Sequence, residues 1–167
     1  MPNPSLESGL STAGRRSRLS FNVNPMTMLR FSDGPNFFEM SVAIEEDRTL
    51  QSFGDAYVTL KIESKGFSGH NDLWVLGAEL EKFCRALLLL ERNLKGAAEL
   101  QSISPNELEL KVMAVTSRGH VAVAGSTGYD VHLENSTQWH SVAFGFEFEQ
   151  TQLSEAVAIP WVRRYAG

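Results

Sequence analysis

The sequence predicts an α+β fold: a twisted, mostly antiparallel sheet of six or seven strands packed on one long central helix, with a short helix near the C-terminus. Three observations carry that expectation. Between Phe67 and Gly96, leucines and Phe83 recur at steps of three and four, the spacing of a helix with one buried face. On either side of this stretch apolar and polar residues alternate with period two, as half-buried strands do. The alternating runs are joined by short turns, which connect antiparallel neighbours, because a parallel pair needs a long crossover.

In chain order, residues 1–25 are rich in Ser, Asn, Pro and Arg and have no apolar period. They are expected to be a disordered tail ahead of a single domain over residues 26–167. The tail lacks the apolar stretch of a secretory signal. Met26 to Phe31 reads as a first strand, turned at Ser32-Asp33-Gly34-Pro35. Phe38, Met40, Val42 and Ile44 alternate with Glu39, Ser41 and Ala43 in a second. A polar loop opens at Glu45-Glu46-Asp47 and reaches about Gly54. Val58, Leu60 and Ile62 then alternate with Tyr57, Thr59, Lys61 and Glu63, and Gly66 and Gly69 lead toward the helix.

The helix is expected to start at a side-chain cap from Asn71 or Asp72 and to stop at Lys95-Gly96, a cation followed by a residue free to turn left-handed. Leu73, Leu76, Leu80, Phe83, Leu87, Leu90 and Leu94 form its apolar face, and Glu81 and Arg85 stand one turn apart on the wet one. Ala98 to Ile103 is a short strand, followed by a turn at Ser104-Pro105-Asn106. Leu108, Leu110, Val112 and Ala114 mark the next strand, and Thr116 to Gly119 returns the chain to Val121 and Val123. The alternation breaks from Gly125 to Tyr129. Val131 and Leu133 read as a minor strand, with Asn135-Ser136-Thr137 as its turn. The clearest strand sets Val142, Phe144, Phe146 and Phe148 against Ser141, Ala143, Gly145 and Glu147, and Leu153 to Ile159 is a short helix limited by Pro160.

A chain of 167 residues, 43% hydrophobic and 21% charged, has the means to bury one core. With Cys84 as the sole cysteine, neither an internal disulfide nor a multi-cysteine metal site can form, which fits a reducing compartment. No run approaches the roughly 18 apolar residues of a membrane span. The net charge of −5 and pI near 5.4 are unlike those of basic nucleic-acid binders, so neither nucleic acid nor membrane is an expected partner. Arg15, Arg16 and Arg18 against Glu7 give the first 25 residues a balance of +2, which leaves −7 on residues 26–167. That charge suits a basic partner and equally serves plain solubility.

Candidate chemistry is sparse. Cys84 lies mid-helix among apolar neighbours, and is expected to be a small buried hydrophobe. His70, His120, His132 and His140 are scattered. His70, in Gly69-His70-Asn71-Asp72, is expected to shape the start of the helix, and His120 to project to the wet face. His132, Glu134 and His140 straddle a turn at a spacing that suits no zinc site. Gly125-Ser126-Thr127-Gly128 lacks the lysine and following helix of a phosphate loop, and there is no Gly-x-Ser-x-Gly elbow. Glu63, Glu107, Glu109 and Glu147 make a hydrolytic pair only if two of them face each other, which strand parity does not establish. No catalytic residue, metal or cofactor is therefore expected. Trp74 reads as core or core rim, and Trp139, on the wet parity, as an interface anchor.

Phe67-Ser68-Gly69 followed by Asp72-Leu73-Trp74, then Leu80, Phe83 and Leu87, Ala98 to Ser102, Gly119-His120-Val121, and the closing Phe144-Gly145-Phe146-Glu147-Phe148-Glu149-Gln150-Thr151 with Leu153 resemble the WapI-type immunity protein family over about residues 36 to 153. Ile159 to Gly167 departs from the family by being shorter than the usual closing helix. The resemblance implies a small cytoplasmic protein of a bacterial contact-dependent or polymorphic toxin system, which binds the cognate toxin domain and neutralises it by occlusion, without catalysis. An acidic body suits a basic, nuclease-type toxin. The contact surface would be the sheet's wet face, through Tyr57, Lys61, Glu107, Glu109, His120, Trp139 and Glu147. Two alternatives stay open. One is a small-ligand-binding protein or enzyme, with a pocket where His120 or His140 meets Glu107 or Glu109. The other is a structural module whose phenylalanine-rich strand pairs with another copy.

Overall fold

The structure is a computed structural model that describes residues 27–167. The tail expected over residues 1–25, and Met26 as the start of the first strand, lie outside the described residues. Eight strands and three helices follow in the order β1 (Leu29–Asp33), β2 (Asn36–Ile44), β3 (Ala56–Ser64), β4 (Phe67–Val75), α1 (Gly77–Asn93), β5 (Ala97–Gln101), β6 (Leu108–Ala114), β7 (Val121–His132), β8 (Thr137–Phe148), α2 (Thr151–Val157) and α3 (Pro160–Arg163). The fold is α+β and every strand pair is antiparallel, as expected. The strands, however, form two four-stranded meanders, β1-β2-β3-β4 and β5-β6-β7-β8, in place of one sheet of six or seven. The cause is α1. It carries the chain away from the β4 edge and lies along β5, so the second run of strands begins a new sheet. α1 also meets α2 and α3, whose Leu153, Ala156, Trp161 and Val162 are buried.

The first nine residues of the helical stretch expected over Phe67–Gly96, Phe67–Val75, are strand. Ser64 pairs with Phe67 across a two-residue turn at Lys65-Gly66, where both φ angles are positive (52° and 86°). This is the type I′ geometry that matches strand twist, and Gly66 takes it without steric cost. In β4, Asn71, Leu73 and Val75 then point inward, while His70, Asp72 and Trp74 point outward. Leu73, Leu76 and Leu80 hold helical spacing only because a strand end and a helix start happen to fall in phase. Neither Asn71 nor Asp72 caps α1; the Gly77 N–H donates to Asp55 Oδ1 at 2.9 Å. At the other end Leu94, not Gly96, supplies the left-handed cap (φ 52°), with its N–H on the Leu90 carbonyl at 2.8 Å. The buried face is Leu80, Phe83, Cys84, Leu87 and Leu90, and Glu81 accepts from Arg85 at 2.9 Å on the wet side.

A second correction concerns β7, which runs unbroken through Gly125 to His132 and pairs with β8 along its whole length. At Gly125 a side chain would collide with the Glu109 carbonyl and approach the Phe144 ring, so the apolar alternation lapses where the packing is tightest.

The sheets meet through β8, which lies across β1, β3 and β4. Phe148 stacks on Phe31 with ring centroids 4.2 Å apart, and Phe144 on Phe38 at 5.4 Å. Beside these stacks the backbones come close. A Cβ on Gly69 would stand 2.5 Å from Val142 Cγ1. Buried polar groups stitch the same junction. Asn71 Nδ2 donates to Thr127 Oγ1 (3.0 Å) and to the Gly128 carbonyl (2.9 Å), Thr127 Oγ1 donates to the Glu107 carbonyl (2.6 Å), and Ser64 Oγ accepts from the Gly145 N–H (3.1 Å). Each bond satisfies a group whose burial alone would cost free energy.

Two outcomes are expected. Leu80→Ala or Phe83→Ala should lower unfolding free energy by about 2–5 kcal/mol in urea titration, since each removes a fully buried side chain. Gly69→Ala should also destabilise, by pushing on Val142, and the loss should shrink when Val142→Ala is added; a double-mutant cycle with purely additive terms would show that the two positions do not touch.

Candidate functional site

Because the sheet divides, so does the expected wet face. Tyr57 and Lys61 lie on the outer face of the first sheet, on β3. Glu109, Trp139 and Glu147 lie on the outer face of the second, in cross-strand rows with Ser126, Asp130 and Ala122. Glu107 precedes β6 and His120 precedes β7, at opposite ends of the β6–β7 ladder. The structure therefore brings Tyr57 together with Lys61, and groups Glu109, Trp139 and Glu147 on the other sheet.

The first sheet's outer face has an aromatic end and a charged middle. Tyr57 and Trp74 are cross-strand partners in T-shaped contact, centroids 5.5 Å apart, and the Trp74 carbonyl accepts from Ile103 N–H at 2.8 Å. Trp74 and Ile103 are both exposed, so the Trp74 expected at the core or its rim lies at the surface. Beyond the Ser41-Thr59-Asp72 row, the same face carries a four-strand row, Arg30-Glu39-Lys61-His70, in which Arg30 pairs with Glu39 and also lies over the Phe37 ring. His70 Nε2 stands 3.7 Å from Asp72 Oδ1.

This face runs into an open groove of about 580 Å³, between β3–β4 and the free end of the β7–β8 hairpin. Lys61, Glu63 and His70 line one side, and Tyr129, His140 and Ser141 the other. Sequence reasoning had put His140 with Glu107 or Glu109; the structure puts it with His70 and Lys61. The missed residues were legible in one signal. Had Lys65-Gly66 been taken as a hairpin turn, His70 would have fallen opposite Lys61.

On the second sheet Ala122, Ala124, Ser126 and Gly128 of β7 face Glu147, Gly145, Ala143 and Ser141 of β8, a nearly smooth strip. The Trp139 ring lies over Gly128, where a Cβ would come within 2.5 Å of it. The hairpin beyond Gly128 is exposed on both faces, and Tyr129, Leu133 and Trp139 are its large apolar residues. Among the described residues no group of three or more His, Cys, Asp and Glu is placed to hold a metal, and no helix is long and apolar enough to cross a membrane.

The geometry is that of an α+β protein with two separate sheet faces. A family model for the WapI-like immunity proteins matches residues 29–158, and the chain belongs to that family. Comparison with curated proteins and with solved structures returned no significant match.

The sole thiol lies apart from both faces. Cys84 is fully buried under α1, and burial, with the Glu81 charge as a lesser cause, pushes its pKa from 9.0 up to about 12. The folded value exceeds the unfolded one, so this group's contribution to stability is complete below about pH 9 and is lost as pH rises toward 12. Unfolding free energy should therefore fall across that window more steeply in the native chain than in Cys84→Ala. Equal slopes in the two proteins would show that the thiol is accessible to water.

Proposed function

We propose that this protein is an immunity protein that binds a toxin domain made by its own cell and neutralises it by occluding the toxin's working surface. Family membership over residues 29–158 carries the proposal. Inhibition by occlusion requires a complementary surface and no chemistry, so the protein acts by binding alone, in the bacterial cytoplasm where the toxin would do its damage.

The contact surface we assign is the first sheet's outer face. Tyr57 and Trp74 provide rigid aromatic anchors of the kind that dominate interface energetics, with Lys61 and His70 as the polar surround. The formal charge of residues 26–167, −7, draws in a basic toxin domain such as a nuclease and speeds encounter at low salt. Of the residues singled out from sequence, Tyr57 and Lys61 belong to this surface. Glu107, Glu109, His120, Trp139 and Glu147 would contact the same toxin only if it wrapped around to the second sheet.

Co-expression with the toxin encoded beside this chain tests the assignment. Growth should be restored and the two proteins should co-elute on a sizing column. Trp74→Ala should weaken the complex by about 2 kcal/mol, roughly 30-fold in Kd, as removal of a hot-spot aromatic does. Glu147→Ala, on the other sheet, should leave it unchanged. Continued killing with no complex would exclude immunity for that pair.

A further inference from the structure

Four strand edges end the two sheets, and three of them carry guards over part of their length. On β1, the Gln152 amide accepts from the Ser32 N–H (2.8 Å) and donates to the Ser32 carbonyl (2.9 Å). On β4, Asn71 Oδ1 accepts from the Asp72 N–H (2.9 Å), and Ile103 N–H covers the Trp74 carbonyl. β5 is only five residues long and carries Glu99. Such devices stop a sheet from pairing with another chain.

β8 is guarded at one point only. Ser64 Oγ holds the Gly145 N–H at 3.1 Å, so odd-numbered residues of this strand aim their backbone groups away from β7. The Ser136 carbonyl, which receives Leu133 N–H at 2.7 Å, gives the same parity from the hairpin end, and the register between them has no bulge. Trp139, Ser141 and Ala143 thus present outward N–H and C=O groups that no described residue pairs. The segment from Thr137 to Ala143 carries no Lys, Arg, Asp, Glu or Pro.

We infer that this edge pairs with the same edge of a second copy, antiparallel, on a two-fold axis through Ser141. The centre follows from parity. Ser141 opposite Ser141 of the second copy is a hydrogen-bonded pair that exchanges both N–H···O bonds, and Trp139 and Ala143 then pair with Ala143 and Trp139 of the other chain. The Ser64 clamp at Gly145 limits the pairing to this stretch. Side chains fit the same register. Trp139, 44% exposed, comes to lie beside Ala143 of the second copy, whose small side chain leaves its ring room to be covered. No formal charge opposes its own copy within the pair, so a chain of negative net charge can approach itself here. The result is one eight-stranded sheet, whose new strand pair borders the groove that Ser141 lines together with Lys61 and His70.

Sedimentation equilibrium of the full chain, without any toxin, tests this. The wild type should reach about twice the chain mass of 18.5 kDa. Ser141→Lys and Ser141→Glu each set like charges directly opposite across the axis, and each alone should sediment as a monomer with unchanged circular dichroism. An equimolar mixture of the two should form a heterodimer, which only a self-opposed residue allows. Amide hydrogen exchange at Trp139, Ser141 and Ala143 should slow as protein concentration rises. A wild type that stays monomeric at every concentration, charge variants that remain dimeric, or a mixture that does not associate would each overturn the inference. So would protection of these amides only after toxin is added, which would make the toxin the occupant. Because no toxin enters the first measurements, their outcome is separate from that of the immunity proposal.

Discussion

The seating of β8 on the first sheet is the contact on which the remaining structure depends. Alternate residues of β8 drive phenylalanines into the first sheet's apolar face, where Phe148 and Phe144 stack on Phe31 and Phe38. Aromatic burial supplies the attraction, but it does not by itself select a register. Selection comes from polar and steric detail at the junction. Gly69 admits Val142, Ser64 meets the Gly145 backbone, and Asn71 reaches across to Thr127 and Gly128. A shift of β8 by one residue would turn its phenylalanines to solvent and break the bond between Ser64 and Gly145.

That dependence explains which parts of the fold were legible in the sequence. The apolar faces of β2, β3, β6 and β8, and the buried stripe from Leu80 to Leu90, follow from local periodicity, and local periodicity is written in adjacent residues. The division into two sheets is not. It depends on β8 meeting β1, β3 and β4 while α1 lies along β5, and those contacts join segments far apart in the chain. The error over Phe67–Val75 had a different origin. Leucine spacing outweighed the weak helix formers Ser68, Gly69, His70, Asn71 and Asp72, although propensity and the Lys65-Gly66 turn both argued for a strand.

The candidate surface was legible only in fragments, for a related reason. Strand parity correctly sends Tyr57, Lys61, Glu109, Trp139 and Glu147 outward, because parity is local. It cannot say that outward on β3 and outward on β8 are different faces. Asn71 shows the converse. It was a natural cap for a helix, and its value lies in a buried amide that ties the sheets together, which no local rule reveals. Family membership adds what the residues alone do not, a protein toxin as the general class of partner.

The way the edges are finished connects stability with recognition. A small two-sheet protein exposes strand edges wherever a meander ends, and each open edge invites unplanned pairing. Here the side chains that hydrogen-bond to an edge are neutral, Gln152, Asn71 and Ser64, and two of them also serve the core junction. Ser64 buries its hydroxyl between the sheets while it closes the β8 edge at Gly145, and Asn71 bonds across to Thr127 while it closes β4 at Asp72. Edge protection is therefore strongest where the sheets touch and fades along β8 as the hairpin leaves the body. What remains open beyond that point is a run of backbone groups on a segment without formal charge. The first sheet closes its edges in part, at Ser32, Asp72 and Trp74, and presents side chains. The second presents backbone. The recognition proposed for the two halves is accordingly of different kinds, through aromatic and charged side chains on one and through main-chain hydrogen bonds on the other.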